Sequence, residues 1–144
     1  MNYYEKINYI SNWINEYASS LKFQPASLII GVSGGIDSAV TSTLCAKTDF
    51  KTIAVSMPIK QNPLQHDLSL KHLEWLNTNF NNIEIMTIEL DKVFDTFENT
   101  MKDFNSSLAF ANSRSRLRMV TLYQIAQAKK GIVVGTGNKV EDFG

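Results

Sequence analysis

A doubly wound parallel α/β sheet with helices on both faces is predicted by three observations. Apolar, β-branched runs of strand length alternate along the chain with segments of helical period. The first such run, Leu28 to Val32, is almost wholly apolar, as in a strand covered on both faces of a parallel sheet. It passes directly into Ser33-Gly34-Gly35 and then into a helical pattern. That strand–turn–helix order leaves first-turn amides and the helix dipole pointing at an anion.

Taken in order, residues 3 to 21 place Ile7, Ile10, Ile14, Tyr17 and Leu21 at intervals of three and four, an amphipathic helix. Pro25 closes the linker before strand one. Residues 38 to 47 form the next helix, with Ala39, Val40, Leu44 and Cys45 on its inner face. Strand two is Thr52 to Met57, ended by Pro58, and a loop runs to Pro63. A helix over residues 64 to 80 carries Leu68, Leu73, Trp75 and Leu76. Strand three is Ile83 to Leu90, alternating Ile83, Ile85 and Ile88 with polar neighbours. Residues 91 to 104 are helical, with Val93, Phe94, Phe97 and Met101 on one side. After the polar break Asn105-Ser106-Ser107, a longer helix runs from about Ala109 to Lys129, and Gly131 ends it in a left-handed conformation. Strand four is Ile132 to Gly135, and residues 136 to 144 are loop.

With 144 residues the chain has the size of one ordinary domain. A formal net charge of zero gives no nucleic-acid or anionic-membrane footprint. No apolar run approaches the roughly 20 residues that span a bilayer, and residues 1 to 5 lack the layout of a secretion signal. Cys45 is the single cysteine, which excludes an internal disulfide and fits a reducing compartment. The expected location is the cytoplasm. The chain stops after a glycine loop with no closing helix, so an α/β unit ending there is expected to be unfinished.

Six of the seven glycines fall in two clusters, Gly31/Gly34/Gly35 and Gly131/Gly135/Gly137, each at the carboxyl end of a predicted strand. Strands one to three form one half of such a sheet and strand four starts the other half beside strand one. The crevice between strands one and four is then the topological switch point, where these folds bind ligands. Ser33 to Ser38 would face Thr136 to Glu141, with Asp37 and Glu141 on opposite lips. Two carboxylates beside a polyphosphate suit Mg²⁺. The plainer reading makes Asp37 the cap of the following helix and Glu141 a solvated loop acid. The loop lacks the Gly-Lys-Ser/Thr ending of the common P-loop.

The only arginines, Arg114, Arg116 and Arg118, sit together in Asn112-Ser113-Arg114-Ser115-Arg116-Leu117-Arg118-Met119. On a helix, Asn112 and Arg116 share one face and Arg114 and Arg118 another, so two anionic ligands are within reach. The alternative is a solvated basic face. His66 and His72 have no cysteine at metal-ligand spacing and are expected at the surface. Cys45 is expected buried and inert. Trp13 and Trp75 are read as core or interface, and Lys60 and Lys139 as solvated lysines or phosphate contacts.

Ser33-Gly34-Gly35-Ile36-Asp37-Ser38 resembles the Ser-Gly-Gly-x-Asp-Ser signature of the N-type ATP pyrophosphatases. Asn112-x-Arg114-x-Arg116-x-Arg118-Met119 and Gly135-Thr136-Gly137-Asn138-Lys139-x-Glu141 are similar to stretches of ammonia-dependent NAD⁺ synthetase, in that family's order. The resemblance implies an adenine nucleotide alpha hydrolase-like fold, one ATP pyrophosphatase-type domain over residues 1–144, and absence of the family's C-terminal part. It implies that Gly31, Val32, Ser33, Gly34, Gly35, Ile36, Asp37 and Ser38 bind ATP together with Thr136. Asp37 and Glu141 would hold Mg²⁺, Arg116 with Asn112 would meet deamido-NAD⁺, and Arg118 would serve ATP or a subunit contact. A homodimer is implied, with no nucleic-acid or membrane partner. Ser115 stands where alanine is usual in the family.

The implied reaction is ATP-dependent amidation of deamido-NAD⁺ by ammonia, giving NAD⁺, AMP and pyrophosphate through a carboxyl-adenylate. No general base is identifiable. The alternatives are another N-type ATP pyrophosphatase, such as a tRNA-modifying one, and a non-catalytic adenine-nucleotide binding module.

Overall fold

The computed structural model describes residues 1–137; the expectations for Asn138, Lys139 and Glu141 lie outside them. Ten elements follow the predicted alternation. They are α1 (Tyr3–Ser20), β1 (Ser27–Gly31), α2 (Ile36–Ala46), β2 (Lys51–Ser56), α3 (Pro63–Asn79), β3 (Ile83–Thr87), α4 (Asp91–Thr100), a 3₁₀ turn (Lys102–Phe104), α5 (Ser107–Ala128) and β4 (Gly131–Val133).

The strands make one parallel sheet in the order β3-β2-β1-β4. The chain moves outward from β1 to β3 and then returns to the far side of β1. Crossovers of one hand in opposite directions put their helices on opposite faces. Accordingly Leu28 and Ile30 of β1 pack with Cys45, Ala46, Leu73 and Leu76 under α1, α2 and α3. Ile29, Ile53 and Val55 pack with Phe94 and Ala126 under α4 and α5. β1 and β2 are covered on both sides, which is why Leu28–Ile30 and Ile53–Val55 read as unbroken apolar runs.

Local chemistry sets the helix ends. Asn2 accepts from the Glu5 N–H at 2.9 Å while the Glu5 carboxylate accepts from the Asn2 N–H at 2.7 Å, a capping box that starts α1. Asn62 caps α3 through the Leu64 N–H, with Pro63 in the first turn. The Ser106 hydroxyl caps α5 through the Ala109 N–H at 3.3 Å.

Several expectations are corrected. α1 buries Ser11 and Ala18, not the Ile7–Ile10–Tyr17 stripe, which stays largely exposed. Small side chains let α1 approach α2, and Ser11 donates to the Leu44 carbonyl at 3.2 Å. α2 buries Ser38, Ser42, Cys45 and Ala46, whereas Val40 is 49% exposed. β3 ends at Thr87, and Ile85 is exposed on this edge strand. On α4 only Phe94 is buried; Val93 and Phe97 look outward.

The left-handed residue after α5 is Lys130, with φ +53°, and not Gly131. Gly131 is needed for another reason. A Cβ there would stand 2.7 Å from Ser27 Oγ and 2.8 Å from its carbonyl, where β4 meets β1. His66 and His72 are half-buried, and Trp13 and Trp75 are exposed. Cys45 is buried as expected, and burial pushes its thiol up to about 12.

Candidate active site

β1 feeds the Ser33-Gly34-Gly35 turn directly. The Val32 N–H still bonds the Val55 carbonyl at 2.8 Å, and one turn later α2 begins at Ile36. Gly34 has φ +90°, and a side chain there would run into the Gln65 carbonyl. Gly35 occupies the N-cap position with no side-chain cap. Asp37 therefore lies inside the first turn of α2 and is not its cap, a position where a carboxylate meets the positive end of the helix.

Ser38 is the hub of the turn and is buried. Its hydroxyl accepts from the Ser33 N–H and donates to the Gly35 carbonyl, both at 3.1 Å. The Ser33 hydroxyl lies 3.2 Å from Ser38 Oγ and accepts from the Gly35 N–H at 3.2 Å. The loop is thus pre-formed by its own serines, which lowers the ordering cost of taking up a ligand.

Across from this turn, β4 runs out beside the end of β1. The Val134 N–H bonds the Ile29 carbonyl at 2.8 Å, and a Cβ added at Gly135 would meet nothing within 4 Å. Between the two strand ends is a crevice of about 720 Å³. Gly31, Val32, Ser33 and Ser38 form one wall, and Gly135, Thr136 and Gly137 the other. The Gly31–Ser38 stretch and Gly135–Gly137 meet at the switch point, the placement that strand order alone implied, whereas Gly131, expected with them at the carboxyl end of strand four, opens β4 beside Ser27 at the opposite end of the sheet. A hollow of about 800 Å³ lies at the opposite end of the sheet around Asn79 to Asn82, remote from both glycine loops.

α5 closes a third side with Ser115, Arg118, Met119 and Tyr123. Arg118 donates from Nε to the Met57 carbonyl at 3.0 Å, so its remaining donors stay available while one fixes the side chain. Burial, and then the neighbouring Arg114, pull its pKa down from the ordinary arginine value. Arg114 instead lies over the Phe94 ring, 5.5 Å from its centroid. Asn112 and Arg116 are exposed on another face of α5, where Arg116 Nη1 donates to the Asn112 carbonyl at 3.2 Å. The division of the arginines into two faces holds, and only Arg118 reaches the crevice. Ile36, the first residue of α2, is exposed.

Lys60 does not reach toward the loop. Its ammonium pairs with Asp95 and Glu98 on α4, and those hydrogen bonds raise its pKa. Met57, Gln61 and Gln65 line the crevice although sequence reasoning passed over them. The available signal was position: residues just past β2 lie on the same rim as those just past β1 in a parallel sheet. Among the described residues no cluster of three His, Cys, Asp or Glu side chains could hold a metal. Asp37, in the first turn of α2 beside the Ser33–Gly35 turn, carries a hard oxygen donor of the type that suits Mg²⁺.

A family model described as NAD synthase matches residues 6–143. The chain is 32% identical to the NH(3)-dependent NAD(+) synthetase of Carboxydothermus hydrogenoformans over 98% of its own length and 57% of that protein. It is 38% identical to the enzyme of the same name from Saccharolobus solfataricus, over 93% of this chain and 46% of the other. Among solved structures it is similar to an NMN synthetase from Francisella tularensis, with TM-score 0.83, 33% identity, and coverage of 96% of this chain and 56% of that one. It is also similar to the NH3-dependent NAD synthetase of Campylobacter jejuni, with TM-score 0.86, 27% identity, and coverage of 100% and 62%. The chain spans about half the length of the curated relatives it matches.

Proposed function

The chain belongs to the NAD synthase family, and we propose that it carries the ATP side of an ammonia-dependent NAD⁺ synthetase. Its fold is the adenine nucleotide alpha hydrolase-like fold of NAD synthetases. In this reading residues 1–144 are one ATP pyrophosphatase-type domain.

The observation that carries the reading is the meeting of the two glycine loops and Arg118 in one crevice at the switch point. ATP lies there with its phosphates on Gly31 to Ser38 and a contact to Thr136. First-turn amides of α2 and the Arg118 guanidinium counter the charge that builds on departing pyrophosphate. The nicotinate carboxylate of deamido-NAD⁺ attacks the α-phosphorus, giving a carboxyl-adenylate and pyrophosphate. Ammonia then attacks the acyl carbon and AMP leaves. Mg²⁺, held by Asp37 and Glu141, would supply charge neutralisation on the phosphates.

Asn112 and Arg116 contact deamido-NAD⁺. Their exposure away from the crevice supports a homodimer in which α5 helps build the dinucleotide site of its neighbour. Exposed Leu108, Met119, Val120 and Tyr123 on the same helix give that dimer an apolar surface. The zero net charge supports small-molecule substrates without a nucleic-acid partner. No helix among the described residues is long and apolar enough to cross a membrane, and a cytoplasmic location fits the lone buried thiol.

A second acceptor has one observation in its favour, the 33% identity to an NMN synthetase. Both acceptors are tested by incubating the protein with ATP, Mg²⁺, ammonium and either deamido-NAD⁺ or nicotinate mononucleotide. AMP, pyrophosphate and NAD⁺ in equal amounts with the dinucleotide is the expected result. ATP turnover that ignores both acceptor and ammonium would overturn the synthetase reading, and product from the mononucleotide alone would change the substrate.

A further inference from the structure

The glycine that makes the Ser33–Gly35 turn possible also makes it easy to spoil. Gly34 tolerates backbone conformations of either hand, so the peptide between Ser33 and Gly34 can flip at little steric cost. Its orientation matters for an anion. A planar trans peptide holds the Ser33 carbonyl and the Gly34 N–H antiparallel, so a flip exchanges a donor for an acceptor on the same side of the loop.

The neighbouring amides are committed within the loop. Ser33 N–H goes to Ser38 Oγ and Gly35 N–H to Ser33 Oγ. The Gly34 N–H has no partner among the described residues. On the carbonyl side of that peptide, Gln61 Nε2 donates to the Ser33 oxygen at 2.9 Å. This bond reaches from the β2–α3 loop across to the end of β1, and it is lost if the peptide flips.

Gln61 is itself held firmly. Lys60 before it adopts φ +46°, its N–H bonds the Asp91 carboxylate, and its ammonium pairs with Asp95 and Glu98. The Leu90 N–H bonds the Pro58 carbonyl at 3.1 Å. After it, Asn62 caps α3. The β2–α3 loop is thus pinned to α4 on one side and to α3 on the other, with the Gln61 amide presented to Ser33.

We propose that Gln61 is a positioning residue that locks the Ser33–Gly34 peptide with its N–H free for the anion and its carbonyl turned away. The proposal rests on the reading of this loop as the phosphate site. Gln61 acts through Ser33 and takes no part in bond making.

The test compares the protein with Gln61→Met, which keeps the side-chain length and removes the donor, and with Gln61→Leu. Three quantities are measured: affinity for inorganic pyrophosphate by calorimetry, the Gly34 amide resonance in the ligand-free ¹⁵N-labelled protein, and the thermal midpoint. Both variants are expected to bind pyrophosphate roughly tenfold more weakly or worse, the effect of losing one hydrogen bond to a charged group. The Gly34 resonance moves and the midpoint stays within about 3 °C, because the bond is exposed and single. Unchanged pyrophosphate affinity with an unmoved Gly34 resonance overturns the proposal, as does an affinity loss that merely follows a collapsed midpoint. Failure of the unsubstituted protein to bind pyrophosphate contradicts the phosphate-site reading itself, and the Gly34 resonance then decides the lock on its own.

Discussion

At Gly34 two constraints coincide, a φ of +90° and a Gln65 carbonyl where any side chain would begin. At Gly35 neither applies: its φ is −86°, and an added Cβ would lie 3.4 Å from Ser33 Oγ, an ordinary contact. Gly34→Ala should therefore cost about 2 kcal/mol or more in urea unfolding. Gly35→Ala should cost about 1 kcal/mol or less, while its methyl group obstructs close approach of a phosphate and weakens ATP binding. Equal stability losses for the two variants would contradict this distinction. The turn was legible in the sequence, but the roles within it were not. A helix cap was the plainer alternative for Asp37 because capping is recognised by side chain, and the true cap position is a glycine that offers none. Similarly, Lys129-Lys130-Gly131 announced a left-handed residue and glycine was the natural choice. The structure instead strains Lys130, because Gly131 is required where β4 passes Ser27.

Helix existence was legible at the level of elements, and the buried stripe of α1 and α2 was not. Period identifies a helix, but what lies beneath it decides which stripe is buried. α2 turns Ser42 inward, and its hydroxyl is satisfied by the Ser38 carbonyl at 2.7 Å, so a polar residue replaces the expected Val40. From α3, His72 Nε2 meets Ser42 Oγ at 2.9 Å, and the imidazole stacks on Trp75 with centroids 5.7 Å apart. Burial lowers the His72 pKa below its ordinary value of 6.5. In the window between the lowered folded value and 6.5, the unfolded chain binds more protons than the folded one. Stability is therefore greatest above about pH 6.5 and falls on acidification through that window. Urea unfolding between about pH 7.5 and 5.5 should show this loss, and His72→Gln should flatten it. A slope unchanged by His72→Gln would place the titrating group elsewhere.

For the whole molecule, strand order was the strongest thing written in the sequence. Four apolar runs with helical connections left the order β3-β2-β1-β4 as the natural one, and with it a crevice between the ends of β1 and β4. The walls contributed by α5 and by the loop after β2 were less visible. Their residues are ordinary in type (Met57, Gln61, Gln65, Tyr123) and acquire meaning only from where the sheet brings them. Arg118 was separable from Arg116 by helix phase, yet only the fold decides which of the two faces the glycine loops. Because the relatives run to about twice this length, the proposal that bears on this chain by itself is the crevice as an ATP site. Titrating the ¹⁵N-labelled protein with ATP and Mg²⁺ tests that assignment most directly. Saturable amide shifts are expected at Gly31 to Ser38 and, with the same dissociation constant, at Val134 to Gly137 across the crevice. Shifts confined to the opposite end of the sheet, or a response from one glycine loop without the other, would contradict it.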